Sequence, residues 1–357
     1  MKILLLSNMY PTSENPHYGV FVANFIKEFS MLGITINKVV ITKKNSKIKK
    51  FLSYCFYIFQ SSYKILFSKY DLIYVHYINH SLIPLIFLRF FLKKKLIINA
   101  HGGDIFFESK SAYILSKYTS KVIPYADKLV VPSNYFKQKV IKRFNISENN
   151  IFISPSGGIN LNKLKARTQN VQLPFKIGYL GRIDSNKGWD TFLNAIAELK
   201  SDNIEVHIGG NGKEYLLLKE LIQKFSLSNI TILYGYINHE KINEFFNLID
   251  VLVFPSRREG ESLGLVPIEA LACGVPVIAN DNGAVKDYIF HGKNGFLYKN
   301  DNSQELKSLL HEFQNLSNKE KVKMSKMSRE SVKKYDSKII ADNMKKFLLE
   351  SMINPLN

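Results

Sequence analysis

The chain has 357 residues, of which 46% are hydrophobic and 22% are charged. This composition is typical of a folded globular protein and excludes a disordered or low-complexity chain, and the length fits two domains of about 170 residues better than one core. The two cysteines, Cys55 and Cys273, are too few and too far apart for a disulfide framework, so we expect a reducing compartment.

The apolar segments of the chain predict neither a secretion signal nor a membrane span. The opening residues MKILLLS are too short for the core of a signal peptide and run into polar residues. The longest apolar run, residues 82–92, is interrupted by Pro84 and Arg89 and is shorter than the roughly 18 residues that a spanning helix needs. A cytoplasmic location is therefore expected.

The positive charge lies almost entirely in the first half of the chain. Residues 1–170 carry 25 Lys and Arg against 7 Asp and Glu, a net charge of +18 within a total of +19. Residues 171–357 carry 24 against 23 and are nearly neutral. A basic half of this kind favours an anionic partner, either a nucleic acid or the cytoplasmic leaflet of a membrane.

The first elements in chain order predict a turn of the nucleotide-binding type. The apolar residues 2–7 predict a buried strand, and an amphipathic helix follows from about Gly19 to Leu32. A glycine between a strand and a helix lets backbone N–H groups come close to a ligand phosphate, although an ordinary turn also explains Gly19.

Two apolar segments with basic ends follow. In residues 43–70, apolar side chains that include Phe51, Tyr54 and Phe59 recur at helical spacing between clusters of lysine, and residues 81–95 predict a second apolar helix that ends in three lysines. We expect most of the aromatic side chains to face the core, with a solvated basic rim. Two such helices in one domain also predict a peripheral contact with an anionic membrane.

A histidine follows the next predicted strand, residues 96–100. The sequence His-Gly-Gly-Asp, from His101 to Asp104, begins at the carboxyl end of that strand, where open α/β sheets bind ligands. A histidine followed by two glycines at a strand end has few packing reasons to be there. His76 and His80 have a spacing that would suit a metal, but no third ligand is near, so we interpret His76 as pocket lining or core.

The second domain is predicted to begin after a polar linker. Two basic residues follow its first strand. Residues 175–181 predict that strand, and Arg182 and Lys187 lie across the turn after it, where both can neutralise a diphosphate. A solvated surface pair is the alternative. Two later predicted strands run into the glycine turns at Gly210 and Gly235.

The second domain is organised around the sequence FPSRREGESLGLVPIEALACGVPVIAN, residues 254–280. An apolar strand predicted at residues 251–254 runs into a loop, and Gly264 then begins a short helix that tolerates Pro267 in its first turn. The first N–H groups of this helix and the positive end of its dipole would hold an anion such as a phosphate. Glu261 lies just before that site and Glu269 lies inside the helix, so two carboxylates flank one phosphate site.

Glu261, seven intervening residues and Glu269, within ESLGLVPIEALACGVPVIA, resemble the signature of the retaining glycosyltransferases of family 4. The resemblance covers nearly the whole chain and implies an α/β protein of the GT-B fold, with two facing Rossmann-like domains and a deep cleft between them. A βαβ segment with surface carboxylates is the alternative. The chain departs from the family in having Gly19 alone where a glycine pair is usual, and in lacking the Asn-Gly-x-Asp segment expected near residues 157–160.

The resemblance also implies the domain limits. The first domain would comprise residues 1–165 and bind the acceptor, and the second, residues 175–335, would bind the nucleotide-sugar donor, with a linker within residues 161–174 between them. The segment 336–357 would form a helix that crosses back to the first domain.

Site roles follow from the same resemblance. His101, in a sequence similar to the family's His-Gly-x-Asp, would lie against the transferred sugar, and His76 and Asp104 would contact the acceptor. Glu261 would bond hydroxyls of the donor sugar, and Glu269 the ribose. The catalytic residues would be His101, Arg182, Lys187 and Glu261. The donor-binding residues would be Gly19, Arg182, Lys187, Gly210, Gly235, Gly264, Leu265, Val266 and Glu269.

The expected function is transfer of a sugar from a UDP- or GDP-linked donor to an acceptor hydroxyl, with retention of configuration. The sequence contains no Asp-x-Asp, so Arg182, Lys187 and the helix N-terminus would stabilise the leaving diphosphate in place of a metal, and we expect no cofactor. The basic domain predicts a lipid-linked glycan as acceptor, in the assembly of a bacterial surface polysaccharide or glycolipid on the inner face of the cytoplasmic membrane.

Other classes of protein account for part of the pattern. A GT-B epimerase or phosphorylase would share the fold. A retaining glycosidase also uses two carboxylates, but it needs no cationic clamp for a diphosphate. A nucleic-acid-binding protein would explain the charge, but no recognition motif is present and the second half is nearly neutral, so nucleic acid is not an expected partner.

Overall fold

The computed structural model describes residues 1–16, 18–106, 110–166, 174–199, 203–299 and 301–353. The chain forms two compact units, the first comprising Met1–Gly157 with Lys338–Asn357 and the second comprising Gly158–Ser337. Half of the predicted linker 161–174, residues 167–173, lies outside the described residues. Each unit is a parallel sheet with helices, which is the α/β class that the sequence predicts.

The described residues of the first unit form one six-stranded parallel sheet. Its strands are β1 (Lys2–Ser7), β2 (Thr35–Val40), β3 (Leu72–His76), β4 (Lys95–Asn99), β5 (Lys128–Val131) and β6 (Ile151–Ile153). Its helices are α1 (Val20–Met31), α2 (Lys47–Phe67), α3 (Ile78–Ser81), α4 (Leu85–Leu88), α5 (Lys110–Thr119) and α6 (Asn134–Phe144), with short 3-10 helices at Arg89–Phe91, Ser120–Tyr125 and Glu148–Asn150. The strand order is β2-β1-β3-β4-β5-β6, so the direction of winding changes between β1 and β3.

The register of this sheet brings the carboxyl ends of its central strands together. Ser7 of β1 pairs with His76 of β3, and His76 pairs with Asn99 of β4. The residues that follow these strands therefore share one edge of the sheet, next to the change of winding, where ligands bind in open α/β sheets.

The described residues of the second unit form another six-stranded parallel sheet. Its strands are β7 (Phe175–Leu180), β8 (Ile204–Gly209), β9 (Thr231–Gly235), β10 (Val251–Phe254), β11 (Val277–Asn280) and β12 (Gly295–Tyr298). Its helices are α7 (Trp189–Leu199), α8 (Tyr215–Lys224), α9 (Ile242–Leu248), α10 (Leu265–Ala272), α11 (Ser303–Asn315) and α12 (Asn318–Ser331), with 3-10 helices at Ser185–Lys187, His239–Lys241, Gly283–Asp287 and Lys333–Tyr335. The order is β12-β11-β10-β7-β8-β9, so the winding changes between β7 and β10.

The last helix, α13 (Ser337–Ile353), belongs by its packing to the first unit. Met344, Phe347 and Leu348 join one buried cluster with residues of β1, β3, β4 and β5. The ring of Phe347 stacks on that of Phe152 in β6, with centroids 4.1 Å apart. The apolar face of α13 thus completes the core on one side of the first sheet.

The single helix predicted over residues 81–95 is wrong. The chain instead forms α3, α4 and the 3-10 turn at Arg89–Phe91, and β4 already begins at Lys95. Pro84 separates the two short helices because it has no backbone N–H for a continuous helical bond pattern.

Helix α2 exposes several aromatic side chains that the sequence placed in the core. Tyr57 is 1% exposed, whereas Phe51 is 68%, Phe59 is 71% and Phe67 is 71% exposed. The prediction failed because α2 carries apolar residues on both faces, so that helical spacing alone does not tell which face is buried. Within the described part of the chain, no helix has the length and apolar character needed to cross a membrane.

Candidate active site

Two loops of the second unit meet where the winding of its sheet changes. β7 and β10 are hydrogen-bonded neighbours, with Val253 opposite Tyr179, and the loop after each strand leaves at the same edge. These loops and the start of α10 enclose a cavity of about 360 Å³. The residues that line it are Tyr179, Leu180, Gly181, Arg182, Lys187, Phe254, Pro255, Glu261, Ser262, Gly264, Leu265 and Val266. This is the edge at which Rossmann-like sheets bind nucleotides.

Lys187 and Glu261 form an ion pair in this cavity. Nζ of Lys187 lies 2.5 Å from Oε2 of Glu261, and the two side chains are 14% and 17% exposed. The Ser256 hydroxyl donates to the same oxygen over 3.1 Å. Burial would raise the pKa of the Glu261 carboxyl, but Lys187, Arg258 and Ser256 together outweigh it and hold the pKa below its usual value. The cavity therefore presents an ionised carboxylate and a cation side by side.

Arg182 lies at the exposed edge of the same cavity. Its side chain is 64% exposed, and its Nη1 atom lies 3.0 Å from Oδ2 of Asp184. Arg182 and Lys187, predicted to act on one diphosphate, thus line one cavity. Each cation has a carboxylate partner, which holds its side chain near the cavity and can be exchanged for a ligand phosphate.

The amino end of α10 forms another part of the wall. Gly264 precedes the helix with φ 75°, in the left-handed region, and no side chain caps the helix there. A Cβ atom on Gly264 would lie 2.9 Å from the Tyr288 hydroxyl oxygen, and that hydroxyl donates to the Leu263 carbonyl over 2.8 Å. Leu265 and Val266 line the cavity, so the unpaired N–H groups of the first helical turn can bind an anion there.

Glu269, the second predicted carboxylate, is not among the described residues that line this cavity. It is 4% exposed on α10, and its Oε1 atom lies 3.0 Å from Nε2 of the largely exposed His239. The hydrogen bond to Glu269 raises the pKa of His239. The structure therefore brings Glu261 to the cavity wall and places Glu269 with a histidine partner that the sequence did not indicate.

Gly210 and Gly235 lie beside the cavity without lining it. The N–H of Gly210 donates to the Gly235 carbonyl over 2.6 Å. A Cβ atom on Gly210 would lie 1.8 Å from the carbonyl oxygen of Gly181, which does line the cavity. Gly210 therefore lets the loop after β8 pack closely against the end of β7, and its N–H group bonds to the carbonyl of Gly235.

In the first unit, His101 lies against side chains from helix α1 and from the end of β3. Its Nε2 atom is 3.0 Å from Nδ1 of His76, and its ring centroid is 4.2 Å from that of Phe21. Gly19 begins helix α1 with φ 74°, and a Cβ atom there would lie 2.7 Å from the backbone of Met9. Glycine thus permits the tight turn that brings Phe21 over His101.

His76 and Asp104, the two residues predicted to contact the acceptor, are both buried in the structure. His76 is 2% and Asp104 is 0% exposed. The two carboxylate oxygens of Asp104 accept hydrogen bonds from the backbone N–H groups of Ile78, over 2.8 Å, and His101, over 2.9 Å. Burial raises the pKa of Asp104 to about 6 despite these bonds. Because the loops fold back over the strand ends, both side chains support His101 from within the protein.

Arg257 is a site residue that no local sequence pattern indicated. Its guanidinium donates to Asp190 Oδ2 (2.8 Å), Thr191 Oγ1 (2.7 Å), the Ser185 carbonyl (2.7 Å) and Asp301. It therefore ties the loop that carries Glu261 to the loop that carries Lys187. These partners lie 44 to 72 residues away in sequence, so only the fold brings them together.

Two sequence families match the two halves of the chain. Residues 162–331 match the family described as glycosyl transferases group 1, and residues 23–159 match glycosyltransferase family 4. Together the two matched segments include most of both units.

Individual relatives are similar at low identity. An uncharacterized 41.2 kDa protein in the cps region of Klebsiella pneumoniae is 28% identical over 65% of this chain and 66% of its own length. An uncharacterized glycosyltransferase of Methanocaldococcus jannaschii is 28% identical over 88% of this chain and 89% of its own. The 2-deoxystreptamine N-acetyl-D-glucosaminyltransferase of Niallia circulans is 26% identical over 64% of this chain and 63% of its own length. The chain thus spans slightly under two thirds of the length of the first and third of these relatives.

Solved structures share the fold along nearly their full length. Sucrose-phosphate synthase from Thermosynechococcus elongatus aligns with a TM-score of 0.78 at 19% identity, covering 98% of each chain. HepE of Anabaena in complex with UDP aligns with a TM-score of 0.77 at 18% identity, covering 98% of this chain and 100% of its own. The two sheets, their parallel strands and these likenesses identify the fold as GT-B. With both halves matched by glycosyltransferase families, the chain belongs to the group 1 glycosyltransferases of family 4.

Proposed function

We propose that the protein transfers a sugar from a nucleoside diphosphate sugar to an acceptor hydroxyl, with retention of the anomeric configuration and without a metal ion. The observation that carries this proposal is the Lys187–Glu261 pair beside the amino end of α10 in one cavity. The cation and the helix end suit a diphosphate, and an ionised carboxylate held next to them suits the hydroxyls of a sugar.

In the proposed reaction, the bond between the anomeric carbon and the diphosphate oxygen breaks while the acceptor oxygen bonds to that carbon on the same face. Negative charge then develops on the leaving diphosphate, where Arg182, Lys187 and the N–H groups of α10 would stabilise it. The acceptor's proton passes to an oxygen of the leaving phosphate, so that no separate base is needed. Metal independence is supported by this set of cationic groups and by the lack of an Asp-x-Asp sequence.

The remaining donor contacts complete the proposal. Glu269 would accept hydrogen bonds from the ribose hydroxyls in exchange for its bond to His239. His101 would contact the transferred sugar. UDP is the first nucleotide to test, with GDP as the alternative, because a neighbour in fold, HepE of Anabaena, has been solved with UDP and with UDP-glucose.

We further propose that the acceptor is a lipid-linked glycan of a bacterial surface polysaccharide or glycolipid, reached at an anionic membrane. Residues 1–170 carry a net charge of +18, which complements anionic headgroups. Exposed aromatic side chains of the same unit are Phe51, Phe56, Phe59, Tyr63 and Phe67 on α2, Phe87, Phe90 and Phe91 after it, and Tyr113 and Tyr118 on α5. Basic residues beside exposed aromatic rings are typical of helices that lie in a membrane interface.

The membrane proposal is tested by flotation of the protein with vesicles of phosphatidylglycerol and with vesicles of phosphatidylcholine alone. Binding should require the anionic lipid, weaken with salt and fall in the variant Phe59→Glu. The matched control is Leu216→Glu in the second unit, at a side chain that is 72% exposed in comparison with 71% for Phe59. Equal binding to both vesicles, or equal loss in both variants, would contradict the proposal.

The transferase proposal is tested by calorimetric titration with UDP and GDP in the presence of EDTA, followed by assays with the sugars of the nucleotide that binds. NMR of the product should show the anomeric configuration of the donor. Formation of a sugar phosphate would instead indicate a phosphorylase, and an altered sugar still linked to its nucleotide would indicate an epimerase. Binding of neither nucleotide would refute the site as described.

A further inference from the structure

The hydroxyl group of Tyr288 bonds to the backbone just before helix α10. It donates to the Leu263 carbonyl over 2.8 Å and, more weakly, to the Gly264 carbonyl over 3.3 Å. A carbonyl oxygen can only accept a hydrogen bond, so the hydroxyl is the donor in both contacts. Burial raises the pKa of Tyr288 well above its ordinary value, so the hydroxyl keeps its proton at physiological pH. One side chain thus holds two successive peptide groups.

The two peptide groups held in this way turn their N–H groups to the opposite side. In a planar trans peptide, the C=O and N–H bonds point in opposite directions. Because the carbonyls of Leu263 and Gly264 face Tyr288, the N–H groups of Gly264 and Leu265 face away from it. Gly264 and Leu265 line the cavity, whereas Tyr288 is not among the described residues that line it. Neither N–H group bonds to another described residue, so both are free for a ligand.

The glycine at position 264 does not fix this arrangement by itself. Gly264 has φ 75°, and glycine populates positive and negative φ about equally, so its own peptide groups turn easily. No side chain in the described part of the chain caps α10. A Cβ atom on Gly264 would lie 2.9 Å from the Tyr288 hydroxyl oxygen, so glycine is what lets the hydroxyl come close. The hydroxyl then supplies the rigidity that the glycine lacks.

Tyr288 is itself firmly held by residues outside the loop that it supports. It is fully buried and follows the 3-10 helix Gly283–Asp287. Its ring contacts that of Tyr335 edge to face, with centroids 5.9 Å apart. Its backbone carbonyl accepts a hydrogen bond from the Asn294 side-chain amide over 2.8 Å. The position of the hydroxyl is therefore set by the second half of the unit and not by the loop before α10.

We propose that Tyr288 is a positioning residue that holds the N–H groups of Gly264 and Leu265 toward the diphosphate of the donor. The identity of the ligand rests on the proposed function, whereas the bond from Tyr288 to the Leu263 carbonyl does not. N–H groups that already point at an anion need no reorganisation when it binds. Without the hydroxyl, the buried Leu263 carbonyl lacks a partner, and its peptide group would turn to find one, together with the N–H of Gly264.

The first test compares three tyrosine-to-phenylalanine variants by calorimetric titration with UDP and GDP. Tyr288→Phe should raise the Kd of whichever nucleotide the wild type binds by at least about tenfold, which corresponds to about 1.4 kcal/mol. Tyr57→Phe is the matched control in the first unit, because the buried Tyr57 hydroxyl also donates to a carbonyl, that of Ser81, over 3.0 Å. Tyr298→Phe, in β12, removes a buried hydroxyl that has no partner among the described residues.

The two controls separate a loss of stability from a loss of affinity. Tyr57→Phe should destabilise the protein, as Tyr288→Phe does, because each leaves a buried carbonyl without its donor. Tyr298→Phe leaves no carbonyl unpaired and should unfold at the urea concentration of the wild type. Both controls should nevertheless bind nucleotide with the Kd of the wild type.

The second test observes the peptide group between Leu263 and Gly264 directly by NMR. In protein labelled with 13C at leucine carbonyls and with 15N in glycine, a carbonyl–amide correlation spectrum shows only Leu-Gly pairs. The chain has three such pairs, Leu32–Gly33, Leu180–Gly181 and Leu263–Gly264. The variants Leu32→Ile and Leu180→Ile assign the third pair by elimination. Tyr288→Phe should move the Leu263 carbonyl resonance in the free protein, and the nucleotide should shift the Gly264 amide resonance of the wild type.

The outcomes distinguish this inference from the proposed function. If the wild type binds a nucleotide and Tyr288→Phe has the same Kd, the inference is overturned and the proposed function stands. A Leu263 carbonyl resonance that stays in place in Tyr288→Phe, or an equal rise in Kd in Tyr57→Phe, would also overturn the inference alone. Binding of neither nucleotide to the wild type would refute the proposed function, and the role of Tyr288 toward a diphosphate with it.

Discussion

Replacing Lys187 with alanine should weaken the binding of a nucleoside diphosphate and destabilise the second unit. Its ammonium group, 2.5 Å from the Glu261 carboxylate, lies in the cavity next to the amino end of α10. A hydrogen bond to a charged group contributes about 1.5–3 kcal/mol. Loss of one such bond to a phosphate should therefore raise the Kd for UDP or GDP by about 10- to 150-fold.

The stability change follows from the carboxylate that remains. Breaking a fully buried ion pair costs about 3–5 kcal/mol because one charge is left without its partner. Glu261 is 17% exposed and keeps the Ser256 hydroxyl, so we expect a smaller loss of about 1–3 kcal/mol in the free energy of unfolding. The double variant Lys187→Ala, Glu261→Gln should recover stability without recovering nucleotide affinity.

The assay is calorimetric titration with UDP and GDP at one ionic strength, with urea unfolding of the same preparations. Lys176→Ala is the matched control, since Lys176 lies near the other end of β7 and pairs with Glu205 over 3.8 Å. The control should bind nucleotide as the wild type does. Unchanged affinity in Lys187→Ala would refute the reasoning, and an equal loss in both variants would show that only the overall charge matters.

Three further predictions concern the loops around the cavity. Gly188→Ala should lower the free energy of unfolding by more than about 2 kcal/mol, because Gly188 has φ 68° and a Cβ atom there would lie 2.0 Å from the Pro255 carbonyl oxygen. The control is Gly292→Ala. Gly292 has φ 75° with open space around it, so this variant measures the backbone strain alone. Arg257→Lys should lose the planar hydrogen-bond fork, lowering unfolding free energy by about 1–3 kcal/mol and raising the Kd for UDP. The pKa of His239 is raised, so its bond to Glu269 is strongest at low pH and is lost as the pH rises through that pKa. Loss of this bond frees Glu269 for the nucleotide. The affinity of the wild type for UDP should therefore rise from pH 6 to pH 8 more than that of His239→Gln.

Each of these predictions has a contrary result. Equal losses in Gly188→Ala and Gly292→Ala would show that crowding at Gly188 is relieved by small shifts. Wild-type stability and affinity in Arg257→Lys would mean that the two loops hold together without the guanidinium. Parallel pH profiles for the wild type and His239→Gln would show that His239 does not compete with the nucleotide for Glu269.

The sheets were the most predictable part of the fold. The strands predicted at residues 2–7 and 251–254 have the same limits in the structure. Central strands of a parallel sheet are buried on both faces and therefore appear in the sequence as continuous apolar runs. The meeting of Lys187 and Glu261, 74 residues apart, also followed from a general rule. Both residues follow strand ends, and parallel strands deliver their carboxyl ends to one edge.

Other features depend on contacts that no local pattern contains. The outward face of α2 could not be chosen, since apolar residues surround the helix. The burial of His76 and Asp104 depends on how the loops after β3 and β4 fold back over the sheet. The partners of Arg257 and Glu269 come from segments distant in sequence, and only the strand order makes them neighbours.

The packing of α13 on the first sheet affects how the protein is made. The ribosome releases the residues of the second unit before Met344, Phe347 and Leu348, which the first unit needs for its core. During synthesis the earlier unit therefore waits with an uncovered apolar surface around Ile3 and Phe152 while the later unit can already close. Premature termination near residue 337 would thus damage the unit translated first, and chaperones that protect nascent apolar surface should associate with the beginning of the chain until translation ends.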